Sequence, residues 1–179
     1  MNSRQQKSKG KLVLGIDPGN IMSGYALVDP FDYKPIAFGK IDNRQLIPRI
    51  SVVLANNLRS LKLDRVVIER IKSYGMAVGQ TVFDTCIEIG RFVEAFDREG
   101  IEVEYVGRKQ YVVDLIGSPK ATDAVVTQYL IDRFAPNTPN HGKGNKKEPG
   151  FFLGFSKDAW TAYAIAVWAI DKELGITWV

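Results

Sequence analysis

Three acids stand at positions where the chain changes structure. Asp17 ends the apolar run Leu12-Val-Leu-Gly-Ile16 and is followed at once by Pro18-Gly19-Asn20. Glu69 ends the β-branched run Val66-Val-Ile68, and Asp158 falls two residues after Ser156, where a long helical pattern opens. Carboxylate oxygens suit hard divalent cations such as Mg²⁺, with phosphate completing the shell. Two such ions, about 4 Å apart, can activate water and stabilise the leaving oxygen in an in-line phosphodiester displacement. That chemistry requires the three acids to converge. Each acid alone also has a local explanation: turn chemistry for Asp17, pairing with Arg70 or Lys72 for Glu69, and for Asp158 a dipole contribution of about 0.3–1 kcal/mol. Two strand ends and a helix start form a shared context that three unrelated acids need not have.

The elements must do the positioning. Residues 11–17 and 24–29 read as strands joined by a tight Gly/Asn/Ser turn, and 33–41 supplies a third after Asp29-Pro30, which together suggest an antiparallel meander. Residues 44–61 carry Ile47, Ile50, Val53, Leu54 and Leu58 at helical spacing, with Pro48 unsettling the first turn. Residues 65–68 form a short strand. Residues 79–99 form a helix apolar on more than one side, which calls for a second buried face such as a dimer contact. A fifth strand follows at 101–106. A helix at 121–134 carries Val125, Val126, Tyr129, Leu130 and Phe134 on one stripe, and a loop rich in Pro, Gly, Asn and Lys runs to about Phe155. Ser156 then N-caps a final helix through Trp160, Ala164, Val167 and Trp168. The expected fold class is α/β, a mixed sheet flanked by helices. If the strands ending in Asp17 and Glu69 are parallel neighbours, both acids emerge at the carboxyl end of the sheet, where open α/β folds bind ligands.

The rest of the sequence narrows the chemistry. At 179 residues the chain is read as one domain over 11–179, with residues 1–10 as a flexible basic tail. No run of about 18 apolar residues suggests a membrane span, and the tail lacks a signal-peptide centre, so a cytoplasmic protein is expected. The single Cys86 cannot form an internal disulfide and reads as a core filler, while the lone His141 leaves no histidine zinc site or Ser-His-Asp triad. A net charge of +4 tilts toward polyanionic partners. Lys143, Lys146 and Lys147 share a glycine-rich loop just before Asp158, and the basic pair Arg108-Lys109 with Lys120 lies upstream, so these groups are candidates for neutralising DNA phosphates. Tyr74, just after Glu69, could stack on unpaired bases, with plain packing as the other reading.

The segments Gly15-Ile-Asp-Pro-Gly19 with Ser23-Gly-Tyr-Ala-Leu-Val-Asp29, Val66-Val-Ile-Glu-Arg70, and Asp158-Ala-Trp-Thr-Ala-Tyr-Ala-Ile-Ala166 resemble the three motifs of RuvC-type Holliday junction resolvases. The stretches SYGMAVGQTVFDTCIEIGRF and KATDAVVTQYLIDRF are similar to the phage-encoded branch, so the resemblance covers about 11–170. It implies an RNase H-like fold, a sheet of five strands, and a homodimer that makes paired nicks in four-way or other branched DNA inside a bacterial or phage-infected cell. It also implies that Asp17, Glu69 and Asp158 are the catalytic and metal-binding set for two Mg²⁺ ions per site, with Mn²⁺ as a substitute. One departure stands out: Thr161 occupies the position, one helical turn after Asp158, where the bacterial family usually carries another acid. Asp84 and Asp123 are conceivable replacements, and the fourth ligand stays open. Three other readings remain: an actin-like ATP-binding domain, which needs a second domain; an RNase H-like nuclease acting on RNA or duplex DNA; and a junction-binding protein that does not cut.

Overall fold

The computed structural model describes residues 11–56, 62–73, 75 and 77–176. Five strands form one sheet: β1 (Lys11–Asp17), β2 (Met22–Val28), β3 (Pro35–Asp42), β4 (Lys62–Glu69) and β5 (Glu102–Val106), in the order β3-β2-β1-β4-β5. β2 runs antiparallel to both β1 and β3, whereas β4 pairs parallel to β1 and β5 parallel to β4. The expected meander, followed by two parallel strands, is the observed topology.

The helices are α1 (Asn43–Ala55), α2 (Gln80–Arg98), α3 (Arg108–Ile116), α4 (Asp123–Phe134) and α5 (Lys157–Leu174). Strand side chains alternate between faces, and the chain uses both. Leu12, Leu14, Ile16, Val66 and Ile68 join Leu46, Ile50, Phe92 and Phe96 in a core under α1 and α2. Val13, Ala26, Val28, Val67 and Val106 join the opposite core with α3, α4 and α5. Asp17 and Glu69 continue the alternation of Val13 and Val67, which puts both acids on the α5 face.

The alanine-rich α5 is buried nearly all round from Ala159 to Asp171. α4 is tied to it by a buried ion pair: Arg133 Nη1 and Nη2 donate to Asp171 Oδ2 and Oδ1 at 2.6 and 2.8 Å, and Tyr33 donates to Oδ1 at 2.7 Å. Both charges are satisfied in a geometry that matches the planar guanidinium.

Several expectations are corrected. Helix α3 is absent from the sequence reading, because its two turns open on the polar Arg108-Lys-Gln; its signals are the spacing of Tyr111, Val112 and Leu115 and the left-handed Gly117 (φ 79°) that ends it. Cys86 is exposed rather than a core filler, because α2 buries the stripe through Thr85, Phe92 and Phe96, to which Cys86 does not belong. Val125 is exposed for a similar reason: α4 turns Val126, Leu130 and Ile131 inward. Ser156 holds the N-cap position of α5 but makes no side-chain capping bond. Pro48 lies inside α1, which nevertheless starts securely because Asp42 Oδ1 accepts from the Arg44 amide at 2.9 Å. Leu58 and residues 1–10 lie outside the described residues.

Candidate active site

The sheet register lines up the candidate residues. Asp17 pairs with Gly24, and Gly24 with Lys40, so these three share one line across β1, β2 and β3. On the other side, Ile16 pairs with Ile68, which sets Asp17 and Glu69 one residue further at the ends of parallel strands. Glu69 in turn pairs with Val106, after which the chain enters α3 at Arg108. One edge of the α5 face therefore carries, in order, Lys40, Gly24, Asp17, Glu69 and the start of α3.

Two glycines set the third acid above this line. A Cβ on Gly15 would lie 2.1 Å from the Ala162 carbonyl oxygen, and one on Gly24 would lie 2.5 Å from that of Asp158. Without side chains at these positions the α5 backbone seats directly on β1 and β2, and its first turn rests over Gly24 beside Asp17. The turn after Asp17 is fixed from below. Buried Ser23 accepts from the Gly19 amide at 3.2 Å and donates to Asn43 Oδ1 at 2.7 Å, while Asn43 Nδ2 donates to the Gly19 carbonyl at 2.9 Å.

The electrostatics follow from this crowding. Burial, then the nearby charge of Asp158, then that of Asp123, push Asp17 up to about 6. Burial and the charge of Asp17 push Glu69 up to about 7, although Arg108 and a hydrogen bond from Tyr111 pull it down. The buried Tyr111 hydroxyl also accepts from Arg108 Nη1 at 3.0 Å, and Arg108 Nη2 lies 2.7 Å from Asp123 Oδ1. At the opposite end of the line, Lys40 Nζ lies 3.1 Å from Asp158 Oδ1. The local explanation for Glu69 is not the arrangement found: the Arg70 guanidinium lies over the Tyr105 ring, and the Lys72 ammonium packs against Gly107, 3.2 Å from where a Cβ would stand.

The donor set fits a hard cation in kind, since it consists of carboxylates crowded closely enough that Asp158 raises the pKa of Asp17 and Asp17 that of Glu69, a cost that a bound cation relieves. Among the described residues, however, no three His, Cys, Asp or Glu side chains close into a ready ligand group. The arrangement is a central pair, Asp17 and Glu69, flanked by two acids already matched with cations.

Asp123 and Thr161 line one narrow cleft with Arg108 and Tyr111, so Asp123 belongs to this neighbourhood. Asp84 sits on α2 and accepts from Gln80 Nε2 at 2.9 Å, on the other face of the sheet. Lys146 and Lys147 are exposed at the tip of a hairpin-like loop closed by a Gly144–Pro149 bridge, with Asn145 Oδ1 accepting from the amides of Lys147 and Glu148 at 2.8 and 2.9 Å. Buried Phe152 and Phe155 anchor this loop. Lys143 is half-buried, Lys109 and Lys120 are exposed, and Tyr74 lies outside the described residues. Sequence reasoning misses Lys40, Tyr111 and Asn43, and finds Arg108 only as part of a basic pair. Their place depends on register and on α3, which local periodicity does not reveal.

No protein-family model and no curated protein sequence matches the chain. Solved structures do. Thermus thermophilus RuvC aligns at 17% identity with a TM-score of 0.64, covering 93% of this chain and 98% of that one. The same protein in complex with Holliday junction substrate aligns at 16% identity with a TM-score of 0.63 and the same coverage. The yeast mitochondrial Holliday junction resolvase Ydc2 aligns at 16% identity with a TM-score of 0.55, covering 96% of this chain and 83% of that one. The five-stranded mixed sheet with its flanking helices is thus the RuvC-like form of the RNase H-like fold.

Proposed function

We propose that this chain is a structure-selective endodeoxyribonuclease that resolves Holliday junctions and other branched DNA by Mg²⁺-dependent phosphodiester hydrolysis, working as a homodimer that makes paired nicks. The single observation that carries the reading is the placement of Asp17 and Glu69 side by side at the ends of two adjacent parallel strands of a RuvC-like sheet, with Asp158 seated over Gly24 beside them. The neighbouring structures include one holding Holliday junction substrate, which supports the choice of DNA. The sequence likeness to phage-encoded resolvases suggests action in an infected bacterial cell.

In this reading Asp17, Glu69 and Asp158 bind the cation. When bound, Mg²⁺ supplies positive charge that lowers the pKa of an attacking water and stabilises the leaving oxygen. The protein supplies position and surroundings. Tyr111 and Arg108 orient the Glu69 carboxylate, the Ser23–Asn43 network holds the turn after Asp17, and α5 fixes Asp158 through its seat on Gly24. Lys146 and Lys147, carried on a structured tip, neutralise backbone phosphates. Phe83 and Ile87, both more than half exposed on α2, provide the apolar face for a second copy.

The test is cleavage of a synthetic four-way junction in Mg²⁺, set beside linear duplex, single strand and RNA/DNA hybrid. Symmetric nicks confined to the junction are expected. Cutting of the hybrid or duplex with equal efficiency would move the assignment to a general RNase H-like nuclease. Tight junction binding without nicks would make the chain a binding protein.

A further inference from the structure

A narrow cleft of about 40 Å³ opens where the starts of α3, α4 and α5 meet, room for one small anion. Its walls include Arg108 and Tyr111, the two groups that act on Glu69, and Thr161, one turn after Asp158. Lys157 and Thr127 line it as well. The half-buried hydroxyls of Thr127 and Thr161 have no hydrogen-bond partner among the described residues, and the exposed Lys157 has no ion pair among them. Helix α5 begins here without a side-chain cap, so the positive end of its dipole adds to the cations. Asp123 is the one acid among the described lining residues, and Arg108 holds it at 2.7 Å. Two cations and two unfilled hydroxyls thus face a single carboxylate that is already matched.

From this we infer that the cleft takes a backbone phosphate of the strand being cut, next to the phosphate at Asp17 and Glu69, with Arg108, Lys157, Thr127 and Thr161 as its donors. The inference rests on reading Asp17, Glu69 and Asp158 as the centre of a phosphodiesterase. It gives the departure at Thr161 a physical reason. A carboxylate at that position would set a second negative charge against the phosphate, whereas a hydroxyl donates to it. Charged donors make the stronger bonds to phosphate oxygens, and the planar guanidinium of Arg108 suits them. A neighbouring phosphate held in place fixes the strand against the acids, which keeps the reacting atoms in register.

The experiment measures binding of a synthetic four-way junction to the full chain in EDTA, with an uncharged methylphosphonate placed in turn at each phosphate around the crossover. At one position the wild type should lose about tenfold in affinity, and Lys157→Met, already weakened, should lose nothing further there. Thr161→Val and Thr127→Val should weaken binding to a smaller degree. Thr161→Asp restores an acid at the departing position and should weaken junction binding by about tenfold and lower nicking in Mg²⁺. Unchanged binding by Thr161→Asp with faster nicking, or no position at which Lys157→Met and the wild type differ, would overturn the inference while leaving the nuclease reading intact. Stabilisation of the wild type by inorganic phosphate through Lys157, without any methylphosphonate effect, would assign the cleft to a free anion and overturn it likewise. A wild type that neither binds nor nicks the junction would overturn both.

Discussion

The raised carboxylates make predictions for the apoprotein as well as for catalysis. Asp17 at about 6 and Glu69 at about 7 hold protons in the folded state that the unfolded chain, titrating near 3.8 and 4.5, has already released. Between about pH 4 and 7 the native state therefore binds more protons, and stability falls as pH rises. In EDTA the melting temperature should be higher at pH 5 than at pH 7.5, and the Asp17→Asn/Glu69→Gln double variant should lose that part of the difference. At pH 7.5 without metal, Glu69→Gln should be more stable than the wild type by on the order of 2 kcal/mol. The same single changes, and Asp158→Asn, should abolish nicking while junction binding persists, as read by gel shift and product analysis; full cutting by any of the three would remove that residue from the site. Asp17 and Glu69 are legible in the sequence because an acid that terminates an apolar run is conspicuous there, and Asp158 because it falls where a long helical pattern opens. Lys40 and Tyr111 are not legible, since an ordinary lysine in a strand and a tyrosine after Arg108-Lys109 acquire meaning only through strand pairing and the placement of α3.

Elements set the precision of the site. α5 approaches β1 and β2 as closely as it does because Gly15 and Gly24 lack side chains. Gly24→Ala puts a methyl 2.5 Å from the Asp158 carbonyl oxygen, and that oxygen belongs to backbone, which has little freedom to move. The helix start must lift, so junction cleavage should fall by about 100-fold or more, with a stability loss of about 1–3 kcal/mol. Wild-type cleavage by Gly24→Ala would show that the seat is slack. The lysine-bearing loop acts separately. Changing Lys146 and Lys147 to Ala should lower the dependence of junction binding on the logarithm of salt concentration by about 0.9 for each phosphate that the loop no longer neutralises. An unaltered slope would mean that the loop tip faces away from DNA. Strands and long helices are readable from their periods, whereas α3 is not, because two turns with a polar opening give too few apolar positions to establish a repeat.

At the scale of the whole molecule, the proposed paired nicks require two active sites, and the exposed apolar side of α2 is the surface we propose joins them. Phe83 and Ile87 are one turn apart and exposed, on a helix whose opposite stripe is already committed to the sheet. Analytical ultracentrifugation should show a dimer at micromolar concentration for the wild type and a monomer for Phe83→Glu/Ile87→Glu. The monomer should still bind junctions, more weakly, and produce single, uncoordinated nicks. A wild-type monomer would remove the paired-cutting mechanism. The excess apolarity of 79–99 signals this face but misassigns one residue on it, because periodicity reports which sides of a helix are apolar and not which of them meets the sheet.

That misassigned residue gives the molecule its own reporter. Cys86 is the chain's one thiol, exposed on α2 between Phe83 and Ile87. A maleimide fluorophore or nitroxide can therefore be attached to the unaltered protein at a single place, within the patch that self-association would cover. Slow labelling at high protein concentration and fast labelling on dilution would map burial of that patch directly, and energy transfer between labelled copies would follow their separation in real time.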